Sequence, residues 1–376
     1  MKIVHIISSL HIGGAQQALY KLVTNLDYSL KDQMVISLTD DGIIGKKIEN
    51  LGIHVEYLNM RRGTLKLGKL IYLIRCILKF KPSIIQTWMY HADLIGSLVS
   101  IFVRDSSLIW NIRQTDIDKK WMKKKSILIA KICSFLSYFF PKKIICCSKS
   151  SYESHVIFGY SENRMVMIPN GFDLNYFKPN KVDKESNRCE LNILKGEFVI
   201  GLVARFHPVK DHKTFIESIS LVIKKKQNIK VIMCGEGINY KNDTLLKMIK
   251  SFNLEKTINL LDKQSDLPKI YSTMNILVSS SISEGFPNVI GEAMACGVPC
   301  VATAVGESSF IIGKTGLVVP SQDSKLLAKA LTEMIEYGTK KRLLLGDLAR
   351  DRIKKYFSLD TVTIEYKKLY DSLEKV

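Results

Sequence analysis

Two carboxylates, Glu284 and Glu292, stand eight residues apart around a Gly-Phe-Pro turn in "SSSISEGFPNVIGEAMACGVP" (279–299). "NILVSSS" reads as a strand, so Glu284 falls just past its carboxyl end, where open α/β sheets place their ligands. Pro287 suits the first turn of a helix, which needs no N–H there, and Gly297 followed by Pro299 suits its end. The unsatisfied N–H groups near Phe286, Asn288 and Val289 then form an anion site fit for a phosphate. Glu292, in the second turn, is placed to accept two hydroxyls of a ribose diol, which leaves Glu284 for another part of the same ligand. The plain alternative is a surface loop charge and a solvated helix glutamate. The ordered set of strand, Glu, turn, helix, Glu and small-residue cap weighs against it.

Other side chains could serve the same ligand. Arg205 and Lys210 flank "FHPV" after the strand "EFVIGLVARF" (197–206). Two cations at a strand end with a helix start behind them can neutralise a diphosphate and stabilise charge on a leaving group; a solvated loop in a basic protein is the alternative. Gly13 and Gly14 join a strand to a helix, which lets backbone approach a ligand, although such a pair is often only a tight turn. His91 follows the strand "SIIQTW"; a lone histidine there is either a structural residue or a site residue. Arg113 and Asp116, in "NIRQTD", end the next strand and could line an acceptor.

Strands and helices alternate strictly, which argues for doubly wound parallel sheets. The alternation runs from "KIVHIISS" to "SIIQTWM" and restarts at residue 197. The expectation is an α/β protein of two Rossmann-like domains with a cleft between them: residues 1–178, a polar, lysine-rich linker over 179–196, and residues 197–355. A terminal helix over 356–376 is expected to pack back on the first domain. A length of 376 residues suits two cores.

The chain carries 55 Lys+Arg against 36 Asp+Glu, a formal charge of +19, which points to a polyanionic partner. The eight cysteines are scattered without a Cys-x-x-Cys pair and the seven histidines are dispersed, so reduced thiols and no structural zinc are expected. Neither a signal peptide nor a transmembrane helix is expected: "SILIAKICSFLSYFF" (126–140) is too short and holds Lys131. Residues 61–81 and 119–143 contain no acidic residue and interleave Lys/Arg with Leu, Ile, Phe and Tyr. They suit either a protein lying on an anionic leaflet or helices that are core on one face and solvated on the other. No zinc-finger, RRM or helix-turn-helix pattern supports a nucleic-acid partner.

"EGFPNVIGE" resembles the E-x7-E signature of retaining nucleotide-sugar glycosyltransferases of the GT-B fold, the large family-four type. "MIPNGFDLNYFKP" (167–179) is similar to that family's interdomain segment, "GLVARFHPVKDHKTFIESI" (201–219) to its phosphate loop, and "SSLHIGGAQQAL" (8–19) to its N-terminal glycine loop. The resemblance spans almost the whole chain in the right order. It implies that Arg205 and Lys210 hold a donor pyrophosphate, Glu292 the ribose and Glu284 the donor sugar. Gly235, in "CGEG", would lie on the base side, and His91 near the attacked centre. The chain has Gln16 where the family commonly has Glu.

The resemblance further implies a UDP-sugar or similar donor, no metal ion, and a lipid-linked glycan acceptor of surface polysaccharide assembly (O-antigen or capsule). It implies a cytoplasmic protein held at the inner face of the membrane. Glycoside hydrolysis would also use two carboxylates but needs no phosphate loop. A nucleotide-sugar epimerase would share the loops.

Overall fold

The computed structural model describes residues 1–60, 66–114, 117, 122, 124–180 and 183–374. The chain forms two compact units, Met1–Gly171 with Leu359–Val376, and Phe172–Ser358. Among the described residues, the first unit holds β1 (Ile3–Ile7), β2 (Gln33–Ser37), β3 (His54–Tyr57), β4 (Ile84–Trp88), β5 (Ser107–Ile112), β6 (Lys143–Cys146) and β7 (Met165–Met167). They form one parallel sheet in the order β3-β2-β1-β4-β5-β6-β7. The second unit holds β8 (Phe198–Val203), β9 (Ile229–Cys234), β10 (Ile258–Leu261), β11 (Ile276–Ser279), β12 (Cys300–Thr303) and β13 (Leu317–Val319), parallel in the order β10-β9-β8-β11-β12-β13.

Each sheet is buried on both faces, which is why its strands read as unbroken apolar runs such as "KIVHII" and "NILVS". In the first unit Leu73, Ile77, Ala130 and Cys133 pack on one face with Ile85 and Trp110. The opposite face carries Leu19, Leu22 and Ile48, together with Tyr366 and Tyr370 from the helix Leu359–Leu373. Two polar contacts fix that helix on the sheet: Asn111 Nδ2 donates to Tyr366 Oη at 2.9 Å, and Tyr370 Oη donates to Gln86. In the second unit Phe215, Ile219, Leu245 and Leu331 cover β8, β9 and β11.

Strand order reverses between β1 and β4 in the first sheet and between β8 and β11 in the second. Crossovers leave in opposite directions at such points, so the loops at the strands' carboxyl ends part and leave room for a ligand. The connections that leave β1, β4, β8 and β11 are those that carry Gly13–Gly14, His91, Arg205–Lys210 and Glu284.

Three expectations need correction. The chain leaves the first unit at Gly171, not at residue 178. The segment 179–196 belongs to the second unit and holds the helix Lys184–Glu190. That helix is anchored by polar contacts, with Arg188 donating to the Thr273 carbonyl at 3.0 Å and to Asn275 Oδ1 at 2.8 Å. Its side chains therefore show no apolar period to read. Pro287 caps the helix Asn288–Ala295 from outside its first turn. Asp116 and parts of the two basic stretches lie outside the described residues. Among the described residues no helix is long and apolar enough to cross a membrane.

Candidate active site

In the second unit the loop after β8 bends into a short 3-10 turn, Pro208–Lys210, and then the helix His212–Ile223. Asp211 makes the junction in the left-handed region, φ 46°, and its carboxylate accepts from the Thr214 N–H at 3.2 Å. Ser280, just past β11, donates to the Lys210 carbonyl at 2.9 Å, and the Ile282 N–H donates to the Val209 carbonyl at 2.8 Å. The loops after β8 and β11 are thereby tied edge to edge.

Across that seam Lys210 Nζ forms an ion pair with Glu284, the two side chains only 22% and 13% exposed. Ser281 Oγ donates to the same Glu284 oxygen at 2.6 Å. The carboxylate is held by a charge and a hydroxyl, so its orientation is fixed by the protein itself. Arg205 is exposed, and among the described residues no carboxylate forms an ion pair with it. The two cations, after burial itself, hold the His207 imidazole below its ordinary range. Burial first and Lys210 second bring His212 down to about 4. Both rings are therefore neutral near pH 7, and the lasting positive charge of the loop rests on Arg205 and Lys210.

The helix Asn288–Ala295 begins directly after this seam, and no side chain caps its start. Its third residue turns back to the start, the Ile290 N–H donating to the Pro287 carbonyl at 3.1 Å, and a helix N-terminus of this kind favours an anion. Phe286 and Pro287 are buried. Phe286 stacks on Phe172 at 6.1 Å between ring centroids and meets Phe357 edge-on at 5.9 Å. The Phe286 side chain thus anchors the turn while its backbone faces the helix start. Glu292 is half-buried and accepts from Tyr271 Oη at 2.9 Å. Tyr271 is fully buried, and burial with the adjacent carboxylate pushes its hydroxyl well above the ordinary range, so it stays a donor.

Two glycines set the shape. At Gly235, φ 148°, a Cβ would lie 2.2 Å from the Ala204 carbonyl oxygen and 2.9 Å from the Arg205 nitrogen. The loop after β9 can pass under Arg205 only without a side chain. Gly306, φ 51°, presses on the Glu284 carbonyl in the same way, at 2.1 Å. Tyr271, Ser281 and Gly306 escaped the sequence reading. Tyr271 carries no local signal, whereas the serine run before Glu284 and the glycine soon after β12 were legible signs.

Gly13, Gly14 and His91 belong to the first unit. Gly13 ends an extended stretch before the helix Gly14–Asn25, whose start also lacks a side-chain cap. Gln16 turns back to donate to the Ser9 carbonyl at 3.1 Å. His91 lies in the first turn of the helix Tyr90–Ser100, with its imidazole held below the ordinary range by burial. Met89, two residues earlier, adopts φ 72° and ψ 157°, a region almost reserved for glycine. The Met89 N–H donates to the Asn111 carbonyl at 3.1 Å, which holds this strained turn in place. Arg113 lies over Trp88 at 5.4 Å.

Comparison with known proteins gives the family. Residues 12–176 match the model described as Glycosyltransferase Family 4, and residues 197–337 match Glycosyl transferases group 1. The chain is a glycosyltransferase. It is 24% identical over 353 residues to the capsular polysaccharide biosynthesis glycosyltransferase CapM of Staphylococcus aureus, covering 92% of this chain and 91% of CapM. It is 24% identical to the UDP-Gal:alpha-D-GlcNAc-diphosphoundecaprenol alpha-1,3-galactosyltransferase of Escherichia coli, over 80% of this enzyme and 78% of that one. Among solved structures, Anabaena Alr3699/HepE in complex with UDP superimposes with a TM-score of 0.87 at 22% identity, covering 99% and 100% of the two chains. The enzyme has the GT-B fold, with one Rossmann-like parallel sheet in each unit.

Proposed function

We propose that this glycosyltransferase moves a sugar, with retention of anomeric configuration, from a UDP-sugar to a lipid-linked glycan acceptor during surface polysaccharide assembly. The observation that carries the donor half is the Lys210–Glu284–Ser281 cluster beside the uncapped helix start, with Glu292 set by Tyr271 one turn further on. Glu292 takes the ribose hydroxyls. The helix start with Arg205 and Lys210 takes the diphosphate, while Glu284 takes hydroxyls of the donor sugar. Gly235 leaves room on the base side, and Gly13 and Gly14, in the first unit, let backbone approach a ligand. The bond between the anomeric carbon and the phosphate oxygen breaks with its electron pair on the nucleotide. The acceptor hydroxyl adds to the same face, and its proton passes to the departing phosphate oxygen. The fixed cations meet the charge that develops on that oxygen, so they act in the transition state. His91, neutral near pH 7, lines the acceptor side.

The UDP-bound HepE structure and the UDP-galactose and diphosphoundecaprenol in the name of the Escherichia coli relative support these assignments. A lipid-linked acceptor would bring the enzyme to the cytoplasmic face of an anionic membrane. A panel of UDP-, GDP- and ADP-sugars, scored by thermal shift and donor hydrolysis, tests the donor. UDP-sugars are expected to stabilise the protein and to be hydrolysed slowly. Nuclear magnetic resonance of the glycosylated product tests the stereochemistry, and an inverted anomer would end the retaining assignment. Arg205 and Lys210 supply the charge compensation without a metal ion, so EDTA is expected to leave the initial rate unchanged.

A further inference from the structure

The second unit holds a cavity of about 100 Å³ that lies away from Lys210 and Glu284. The helices Lys184–Glu190, Leu267–Thr273 and Gly338–Tyr356 each contribute to its lining. Asn275 and Pro299 line it too, and they stand directly before β11 and β12. The cavity therefore sits at the amino ends of these strands, whereas Glu284 follows the carboxyl end of β11. It is roomy enough for several waters or for one small molecule.

Positive charge outweighs negative charge around this space. Lys184 and Arg342 line it against one acidic side chain, the exposed Asp347. Behind the wall Arg188 is only 8% exposed. Its guanidinium meets neutral acceptors alone: the Thr273 and Glu197 carbonyls at 3.0 and 3.4 Å, and Asn275 Oδ1 at 2.8 Å. Among the described residues no carboxylate forms an ion pair with Lys184, Arg188 or Arg342. Buried charges ordinarily have a counter-charge. Burial first and Arg188 second bring Lys184 down to about 8, against the opposing pull of Glu185, so its ammonium is charged near pH 7. It makes no hydrogen bond among the described residues. Asn275 supplies a second donor. Its Oδ1 accepts from the Val199 N–H at 2.7 Å as well as from Arg188, which fixes the amide and leaves Nδ2 without a partner among the described residues. We infer that this cavity binds a small phosphate-bearing anion, held by Lys184 and the Asn275 amide over the buried charge of Arg188, at a site separate from the Lys210–Glu284 cluster. A metal cation there would meet three cations, and a neutral ligand would leave their charge uncompensated. Lys184 is not needed as a cap for the helix that ends at this cavity. The Ala293 and Met294 carbonyls accept from the Val298 and Gly297 N–H groups at 2.9 Å, and the Ala295 carbonyl accepts from Arg350.

The test is calorimetric titration of inorganic phosphate into the full chain at constant ionic strength, with UDP present to fill the donor site. The wild-type protein is expected to bind phosphate under these conditions. Lys184→Gln should bind it about tenfold to a hundredfold more weakly, the loss of one charge-assisted hydrogen bond. Asn275→Asp keeps an acceptor for Val199 and Arg188 but sets a carboxylate oxygen where the donor was, so it should abolish binding with Tm close to wild type. Lys195→Gln removes an exposed lysine that does not line the cavity and should bind like wild type. Glucose 1-phosphate, titrated in parallel, separates the two sources of the same chemistry: tighter binding than phosphate favours a phosphorylated metabolite, and weaker binding the free ion. Phosphate binding that UDP abolishes, or that Lys184→Gln retains in full, overturns the site. Equal losses in Lys184→Gln and Lys195→Gln would reveal diffuse attraction to a basic protein and overturn it as well. Should UDP fail to bind, the donor reading falls by itself, and the difference between wild type and Lys184→Gln still decides this site.

Discussion

At the scale of single residues the enzyme spends its few well-placed carboxylates as partners of other groups. Glu284 shares one oxygen between Lys210 and Ser281. Lys210→Ala leaves a mostly buried carboxylate without its counter-charge, a loss of about 1–3 kcal/mol once partial exposure is allowed for. In the proposed reaction the same change also removes a charge that meets the leaving group, so kcat should fall about a hundredfold. A cycle of Lys210→Ala, Glu284→Gln and the double variant measures the coupling; additive effects on kcat/KM would show that the pair does not act as a unit. Tyr271→Phe deletes one hydrogen bond to Glu292, worth about 1 kcal/mol. If Glu292 holds the ribose as proposed, the expected result is a roughly fivefold higher KM for the donor with kcat nearly unchanged, read from initial rates, because such a contact is alike in ground and transition states.

At the scale of elements, the helix Asn288–Ala295 is placed by what lies behind it. A Cβ at Gly291 would meet the Phe172 ring at 2.1 Å, and Phe172 stacks on Phe286. Gly291→Ala therefore has no room, and the ring must move together with the turn that starts the helix. Overpacking of this kind costs about 1–3 kcal/mol. Calorimetry should show a lower Tm, and titration should show weaker UDP binding, although residue 291 itself needs no contact with the nucleotide. Gly291→Ser, similarly too large, should follow it in both readouts.

At the scale of the whole molecule, buried titratable groups set opposing pH dependences. Burial lowers His5 to about 3 and His155 and His212 to about 4, against an ordinary value near 6.5. Between those values the unfolded chain binds protons that the folded chain refuses, so stability falls as pH drops from about 6.5 towards 4. Asp93 behaves oppositely. Burial raises its carboxyl from 3.8 to about 7, with one oxygen accepting from Thr87 at 2.5 Å. The folded state keeps a proton that the unfolded state releases, and this contribution is lost as pH rises through about 7. Asp93→Asn isolates the second effect. Its Tm relative to wild type should rise steadily between about pH 4 and pH 7 and level off above, and a pH-independent difference would mean that Asp93 ionises freely in the fold.

The alternation of strand and helix, the two-sheet division and the bracketing of a helix start by Glu284 and Glu292 were legible in the chain alone. These are local matters: apolar runs declare buried parallel strands, and a glutamate on each side of a glycine-proline turn declares its own spacing. Arg205 and Lys210 were legible for the same reason, as cations at the end of a readable strand. Tertiary structure alone decided what faces what. Lys210 and Glu284 are 74 residues apart and meet because β8 and β11 are neighbours at the point where strand order reverses. Tyr271 reaches Glu292 from another helix, and Gly235 is required by a carbonyl on the adjacent loop. The outer face of the helix Lys124–Leu136 shows the limit most clearly. Its sequence is apolar nearly all round, so only packing could say which apolar residues the core takes and which it leaves to the solvent. Spacing along a chain fixes periodicity, whereas the energy of a charge pair, a steric contact or an exposed ring depends on distance through space.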